Sequence, residues 1–215
     1  MAVTINGSTG LASIDGSAGS PSVRGTDGNS GIFYSADAIK FSTAGTERLA
    51  MTTNAYPRIL QVVSASKTDT FSSTSSTFSD VTGMSVDITP SQSDSKVLIL
   101  LQYNVAASGD YAQARLERTV SSTETVINLG DADGNRIRGL SYTYHASDGY
   151  NWYILNQQGV HYLDSPGTTS TVTYKLQVAM HNNSSSVYVN RSSADANSDG
   201  TVRGTSNITA MEVAA

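Results

Sequence analysis

Between Thr171 and Met180 the chain alternates without a break: Val172, Tyr174, Leu176, Val178 and Met180 are separated by Thr173, Lys175, Gln177 and Ala179. A repeat of two sends successive side chains to opposite faces, so this stretch predicts a β-strand with one buried face. Leu176 should point into a core and Lys175 away from it. Leu176→Ala should then cost roughly 2–5 kcal/mol and Lys175→Ala little. The same alternation recurs at Met84, Val86 and Ile88, and again at Ala112, Ala114 and Leu116, which stand between Tyr111, Gln113 and Arg115. Lys96–Ala106 opens on a continuous apolar run, which predicts a central strand covered on both faces. Ile59–Val63, Val187–Val189 and Ile208–Val213 read as further strands. No stretch sustains a helical repeat.

Composition supports the same class. The 215 residues include 33 Ser, 24 Thr and 27 Asn or Asp, against 4 Glu and 4 Lys. Strand and turn formers dominate and good helix formers are scarce, which predicts an all-β protein. At 38% apolar residues the chain can still bury a core. Turn-rich separators at 91–95, 131–135, 147–149, 166–170 and 192–204 divide many short strands, the pattern of a jelly-roll-like β-sandwich.

Several functions are disfavoured. With no Cys, disulfide scaffolds, Cys-ligated metals and thiol catalysis are excluded. A net charge of −5 with scattered basic residues lacks the footprint of a nucleic-acid binder. No apolar run approaches the roughly 18 residues of a membrane helix, and Met1–Gly7 has no basic, then hydrophobic, signal-peptide pattern. Neither membrane insertion nor a signal peptide is expected.

The composition shifts near Tyr56-Pro57. Residues 1–56 hold 8 of the 18 Gly and only short apolar fragments, at Val3–Ile5, Leu11–Ile14, Gly31–Tyr34, Ala38–Phe41 and Arg48–Met51. So thin a segment has little to bury on its own. Its order should depend on other chains, with Ile14, Ile32, Phe33, Ile39 and Phe41 buried between them. The expected division is an N-terminal attachment or shaft segment, 1–56, and a β-sandwich head, 57–215.

Residues 4–51 resemble the N-terminal segments of bacteriophage tail-fibre and other virion structural proteins, of the marine or cyanobacterial phage type. The matching stretches are Thr4-Ile5-Asn6-Gly7-Ser8-Thr9-Gly10, Asp15-Gly16-Ser17-Ala18, Gly25-Thr26-Asp27, Gly31-Ile32-Phe33-Tyr34 and Ala44-Gly45-Thr46-Glu47-Arg48-Leu49. In the head, Val160–Gly167, Val172-Thr173-Tyr174 and Ser206–Val213 are similar to a module of such proteins. The resemblance implies a virion location, a homotrimer and other phage virion proteins as partners. It leaves two roles open: a tail fibre or receptor-binding component, and a capsid decoration or cement protein. Closed cyclic symmetry would also remove exposed strand edges.

Little in the chain points to catalysis. His145, His161 and His181 have no G-x-S-x-G elbow to serve. The four Glu are dispersed and most Asp sit in turns, where bonds to the backbone account for them. Asp195–Gly200 matches the first half of an EF-hand loop, but Ser206 stands where the bidentate Glu belongs. No enzyme activity, cofactor or metal is expected. Arg115, Arg118, Arg136 and Arg138 lie close in sequence and read as partners for Glu117, Asp131 and Asp133.

Rings concentrate at Tyr142, Tyr144, Tyr150, Trp152 and Tyr153. Tyr and Trp combine a flat apolar body with a polar handle, which suits stacking on a sugar and suits core packing equally. Tyr142, Tyr144, Tyr150 and Trp152 are the candidate ligand-binding residues, for a host cell-surface glycan. Exposure separates the two roles.

Overall fold

The computed structural model describes residues 16–24, 26–35, 38–52, 59–144 and 151–215. The fragments Val3–Ile5 and Leu11–Ile14, with candidate Ile14, lie outside the described residues, as do His145, Ser147–Gly149 and candidate Tyr150. The described residues form fifteen β-strands and one 3-10 turn, and no α-helix. The chain is all-β. It divides into two compact units, 1–57 and 58–215.

In the first unit β1 (Val23–Arg24), β2 (Gly31–Ser35), β3 (Ala38–Thr43) and β4 (Thr46–Thr52) form an antiparallel meander in chain order. Register places Val23, Ile32, Phe41 and Leu49 in one cross-strand row and Tyr34, Ile39 and Met51 in the next. One face of this sheet is therefore largely apolar, with Arg48 donating to Thr43 at 2.9 Å toward its rim. Ile32 and Phe41 are half-buried, while Val23, Ile39, Leu49 and Met51 are exposed. Phe33 departs from the expectation of burial between chains. It sits on the opposite face, opposite Lys40, and is already buried within its own chain, with the Lys40 ammonium over its ring. Lys40 also pairs with Glu47 at 3.0 Å.

The second unit comprises β5 (Ile59–Lys67), β6 (Phe71–Ser73), β7 (Ser79–Ile88), β8 (Lys96–Ser108), β9 (Tyr111–Val120), β10 (Thr123–Ile127), β11 (Ser141–Tyr144), β12 (Asn156–Asp164), β13 (Val172–Met180), β14 (Ser186–Val189) and β15 (Ser206–Val213). Three strand positions are interrupted. β5 and β6 run in tandem beside β15 and β14, β14 and β15 share one edge of β8, and β10 and β11 share one edge of β9. Counting each interrupted pair once leaves eight positions. One sheet has the order 1-8-3-6 and the other 2-7-4-5, which is the double Greek key of a jelly roll.

Inward residues of both sheets close one core. Ile99, Leu101 and Tyr103 of β8 and Tyr174, Leu176 and Val178 of β13 are almost wholly buried. Each large side chain so buried contributes about 1.5–3 kcal/mol before entropy is counted. Strand β7 keeps both Val81 and Met84 in the core although they are three apart. An irregularity opposite Lys175–Gln177 takes up three extra residues of β7, and Gly83 within it takes a positive φ of 84°.

Strand β8 is central, paired on both edges, but not covered on both faces as its apolar run suggested. Leu98, Leu100, Gln102 and Asn104 face outward and stay half-buried. The described connections at 74–78, 109–110, 151–155 and 181–185 follow the strand order to one end of the sandwich. Those at 89–95, 121–122 and 165–171 lie at the other.

Candidate functional site

The first of these ends carries an aromatic cluster. Tyr111 opens β9 and Tyr144 closes β11, and the two are direct cross-strand partners. Their rings stack with centroids 4.8 Å apart and planes 29° apart. Tyr142, two residues back on the same face, meets Tyr111 edge-on at 5.7 Å. The alternation that buries Ala112, Ala114 and Thr143 turns these three rings outward. They are 41%, 65% and 51% exposed for Tyr111, Tyr142 and Tyr144, so they do not serve the core. Tyr103 and Tyr174 do, both fully buried. The Tyr103 hydroxyl lies 2.7 Å from Ser141 Oγ, and burial raises its pKa.

His181 follows the end of β13. Its backbone N–H donates to the Tyr111 carbonyl at 2.8 Å, and its ring meets the Tyr111 ring edge-on at 5.8 Å. Asp110 fixes both neighbours. Its Oδ1 accepts from the Tyr111 amide at 2.8 Å, and its Oδ2 lies 3.0 Å from His181 Nδ1 and accepts from Asn182 Nδ2. The Tyr111 amide first, and then His181, hold the Asp110 carboxyl below its ordinary value.

Beside the rings runs an open groove of about 620 Å³, within the range of small-molecule sites. Gln113, Gly139 and Ser141 line it together with Tyr111, Tyr142 and His181, and Asn135, Arg136 and Ile137 lean over it. Gly139 is required for this shape. A Cβ there would lie 2.7 Å from the Ala114 carbonyl oxygen, which accepts from the Leu140 amide at 2.9 Å. Arg136 bonds Asp133 with both side chains largely exposed, an arrangement worth little, so the guanidinium can turn to a ligand. The groove thus offers flat rings, an amide, a hydroxyl, an imidazole and a guanidinium.

Tyr142 and Tyr144 are the two sequence candidates that the fold brings together. Trp152 stands on the 3-10 turn Asn151–Tyr153, 44% exposed, and its carbonyl accepts from the Ala194 amide at 2.7 Å. That bond ties its turn to the long 190–205 connection. Tyr111, not Trp152, completes the described ring cluster. Its signal was present in the alternation that placed Tyr111 and Gln113 opposite Ala112 and Ala114. His181 and Asp110 gave no local signal.

The other charged candidates are held structurally. Arg118 was expected beside Glu117 or the acidic turn. It points inward instead, to Asp164, reaching both carboxylate oxygens at 3.0 Å, and Asp164 also accepts the Tyr174 hydroxyl at 2.7 Å. Burial and then Asp164 push the Tyr174 phenol well above its ordinary range. Arg115 donates to Gln177 and lies over the Phe78 ring. Arg138 donates to the Gly130 carbonyl. Glu117 is buried and meets Lys175 at 3.0 Å. Asp195, which opens the EF-hand-like loop, is shared by Arg191 at 3.1 Å and Arg203 at 2.7 Å.

No family model matches the chain, and a search of curated proteins finds no match. Solved structures of infectious bursal disease virus particles are similar in part. The Gx strain structure gives a TM-score of 0.34 at 11% identity, over 82% of this chain and 44% of that one. The T=1 particle gives 0.37 at 12%, over 84% and 44%. The VP2 subviral particle gives 0.36 at 16%, over 78% and 40%. The chain spans less than half the length of these structures.

Proposed function

We propose that this is a non-enzymatic virion structural protein, a homotrimeric tail fibre or receptor-binding component. In this reading the head adheres to a host cell-surface glycan through Tyr111, Tyr142 and Tyr144. One observation carries the adhesive role: three tyrosine rings stand exposed together beside a groove lined with hydrogen-bonding groups. Rings left in water at such a density suit a ligand with apolar faces and many hydroxyls. The resemblance of residues 4–51 to phage fibre segments supports the virion location. A jelly roll hosts viral and lectin domains alike, which is analogy at the level of fold alone.

The test is adsorption of the full chain to host cells and to arrayed glycans. Tyr142→Ala and Tyr144→Ala should abolish adsorption and leave the melting temperature nearly unchanged. Undiminished adsorption by both variants would overturn the ring site. A capsid decoration or cement protein remains the second reading. It gains if labelled protein is found on heads rather than tails of virions by electron microscopy.

A further inference from the structure

The two outer faces of the head differ in charge. On the 2-7-4-5 sheet, Lys175 lies between Glu117, Asp80 and Glu124, and Thr173 donates to Asp87. On the 1-8-3-6 sheet, register places Val62, Met211, Leu98 and Leu163 side by side in one row across all four strand positions. Leu100 adds to it one step further along β8. Val62 and Leu163 are 54% and 48% exposed, and Leu98, Leu100 and Met211 are half-buried. Beside this row the polar side chains are Ser64, which meets Thr209 at 2.9 Å, Asn207, which donates to Gln102 at 2.9 Å, and the exposed His161, cross-strand partner of Leu100. Lys96 stands at its rim.

We infer that the apolar row of this outer face, from Val62 to Leu163, is where the head packs against further copies of the same chain. Depletion of charge with retention of apolar side chains distinguishes the core of a protein interface from ordinary surface. Four strand positions about 4.8 Å apart, and roughly 27 Å of β8, make a flat patch of about 500 Å². Side-chain relief carries its accessible area toward the ~800 Å² per partner of a specific interface. The occupant follows from the rest of the chain. The N-terminal sheet also leaves apolar side chains in water on one face, with Ile39, Leu49 and Met51 exposed. Copies of the chain supply an apolar match for each face.

The inference rests on the homo-oligomer in the proposed function and assigns it a surface. Sedimentation of the full chain should give a multiple of 22.6 kDa. Val62→Glu and Leu163→Glu should reduce it to one copy, because each would bury an unpaired carboxylate in the contact. Thr125→Glu, exposed on the other sheet, should not. Since the chain has no Cys, single-cysteine variants give a second measurement that keeps the fold intact. Leu163→Cys should resist a bulky maleimide in the assembly, and Thr125→Cys should react. An oligomer in which Leu163→Cys reacts as freely as Thr125→Cys overturns this face and leaves the oligomer standing. A monomeric wild-type chain overturns both. A monomer in which Leu163→Cys is nevertheless protected shows the row to be covered by its own chain, and likewise overturns the inference.

Discussion

The Ser206 hydroxyl donates to Asn190 Oδ1 at 2.6 Å, deep in the place where two neighbouring strand positions are both interrupted. Asn190 ends the β14 side of its break, and its Nδ2 donates to the Lys67 and Asp69 carbonyls at 2.8 and 3.0 Å, across the break between β5 and β6. Its backbone bonds Asn104 and Gly204. One buried amide therefore joins both discontinuities, at a φ of 63° that Asn tolerates better than most residues. Asn190→Ala should destabilise the head by about 3 kcal/mol, from orphaned carbonyls and a left-handed alanine. Asn190→Asp keeps the bond from Ser206 but sets a carboxylate against two carbonyl oxygens, and should be no milder. Urea unfolding checks both, and wild-type stability of Asn190→Ala would show that the breaks need no such anchor.

Leu176 and Lys175 should both be costly to remove. Leu176 is fully buried, so Leu176→Ala should lose roughly 2–5 kcal/mol. Lys175 lies on the opposite face, as the alternation required, but it is only 14% exposed and is a partner of buried Glu117. Bonds to Glu117 and Asp80 outweigh the burial that opposes its charge and raise its pKa. Lys175→Ala would leave Glu117 buried without its ion-pair partner and should cost about 3 kcal/mol. Lys175→Ala with Glu117→Gln should recover part of that loss. Additive losses in denaturant melts would argue against the coupling.

This pair marks where the sequence stopped being legible. Period two is local, so strands such as β13, and the inward side of each, could be read from a few residues. The partner of Lys175 depends on which strand lies next to β13, and neither Glu117 nor Asp80 is close in sequence. The same holds for Arg118 with Asp164 and for Asn190 with Lys67. The run Val97–Leu101 misled for a different reason. Such a run implies two covered faces, yet within one chain Leu98 and Leu100 remain half-buried. The rings were half legible: Tyr142 and Tyr144 by their spacing, but not their contact with Tyr111 across the sheet.

Acid should weaken the head partly through Glu212. This residue is fully buried. Burial opposes its charge, but Gln61 donates to Oε2, and the Ser91 amide and hydroxyl donate to Oε1, each at 2.7 Å. Together these bonds hold its pKa below the ordinary 4.5. A carboxyl lowered on folding adds stability that is fully present above its unfolded value and is lost as pH falls through the folded one. Stability should therefore decline below about pH 4.5. Glu212→Gln should be less stable at neutral pH and decline less steeply in acid. Parallel curves for the two proteins would assign the acid loss to other groups.

Replacing rings one at a time separates stacking from hydrogen bonding at the proposed glycan site. Tyr111 touches both other rings and His181, so Tyr111→Ala should disorganise the cluster as well as remove a surface. Tyr142 is the most exposed of the three at 65%, and Tyr142→Phe keeps its flat face while deleting the hydroxyl. If stacking dominates, Tyr142→Phe should retain most of the adsorption that Tyr142→Ala loses. If the hydroxyl bonds the ligand, both should fall together. Trp152→Ala is the informative contrast, because the Trp152 carbonyl ties its turn to Ala194. Adsorption should survive Trp152→Ala. Loss of adsorption in Trp152→Ala with Tyr142→Ala and Tyr144→Ala unaffected would move the contact surface from the β9–β11 edge to the turn beside the 190–205 connection.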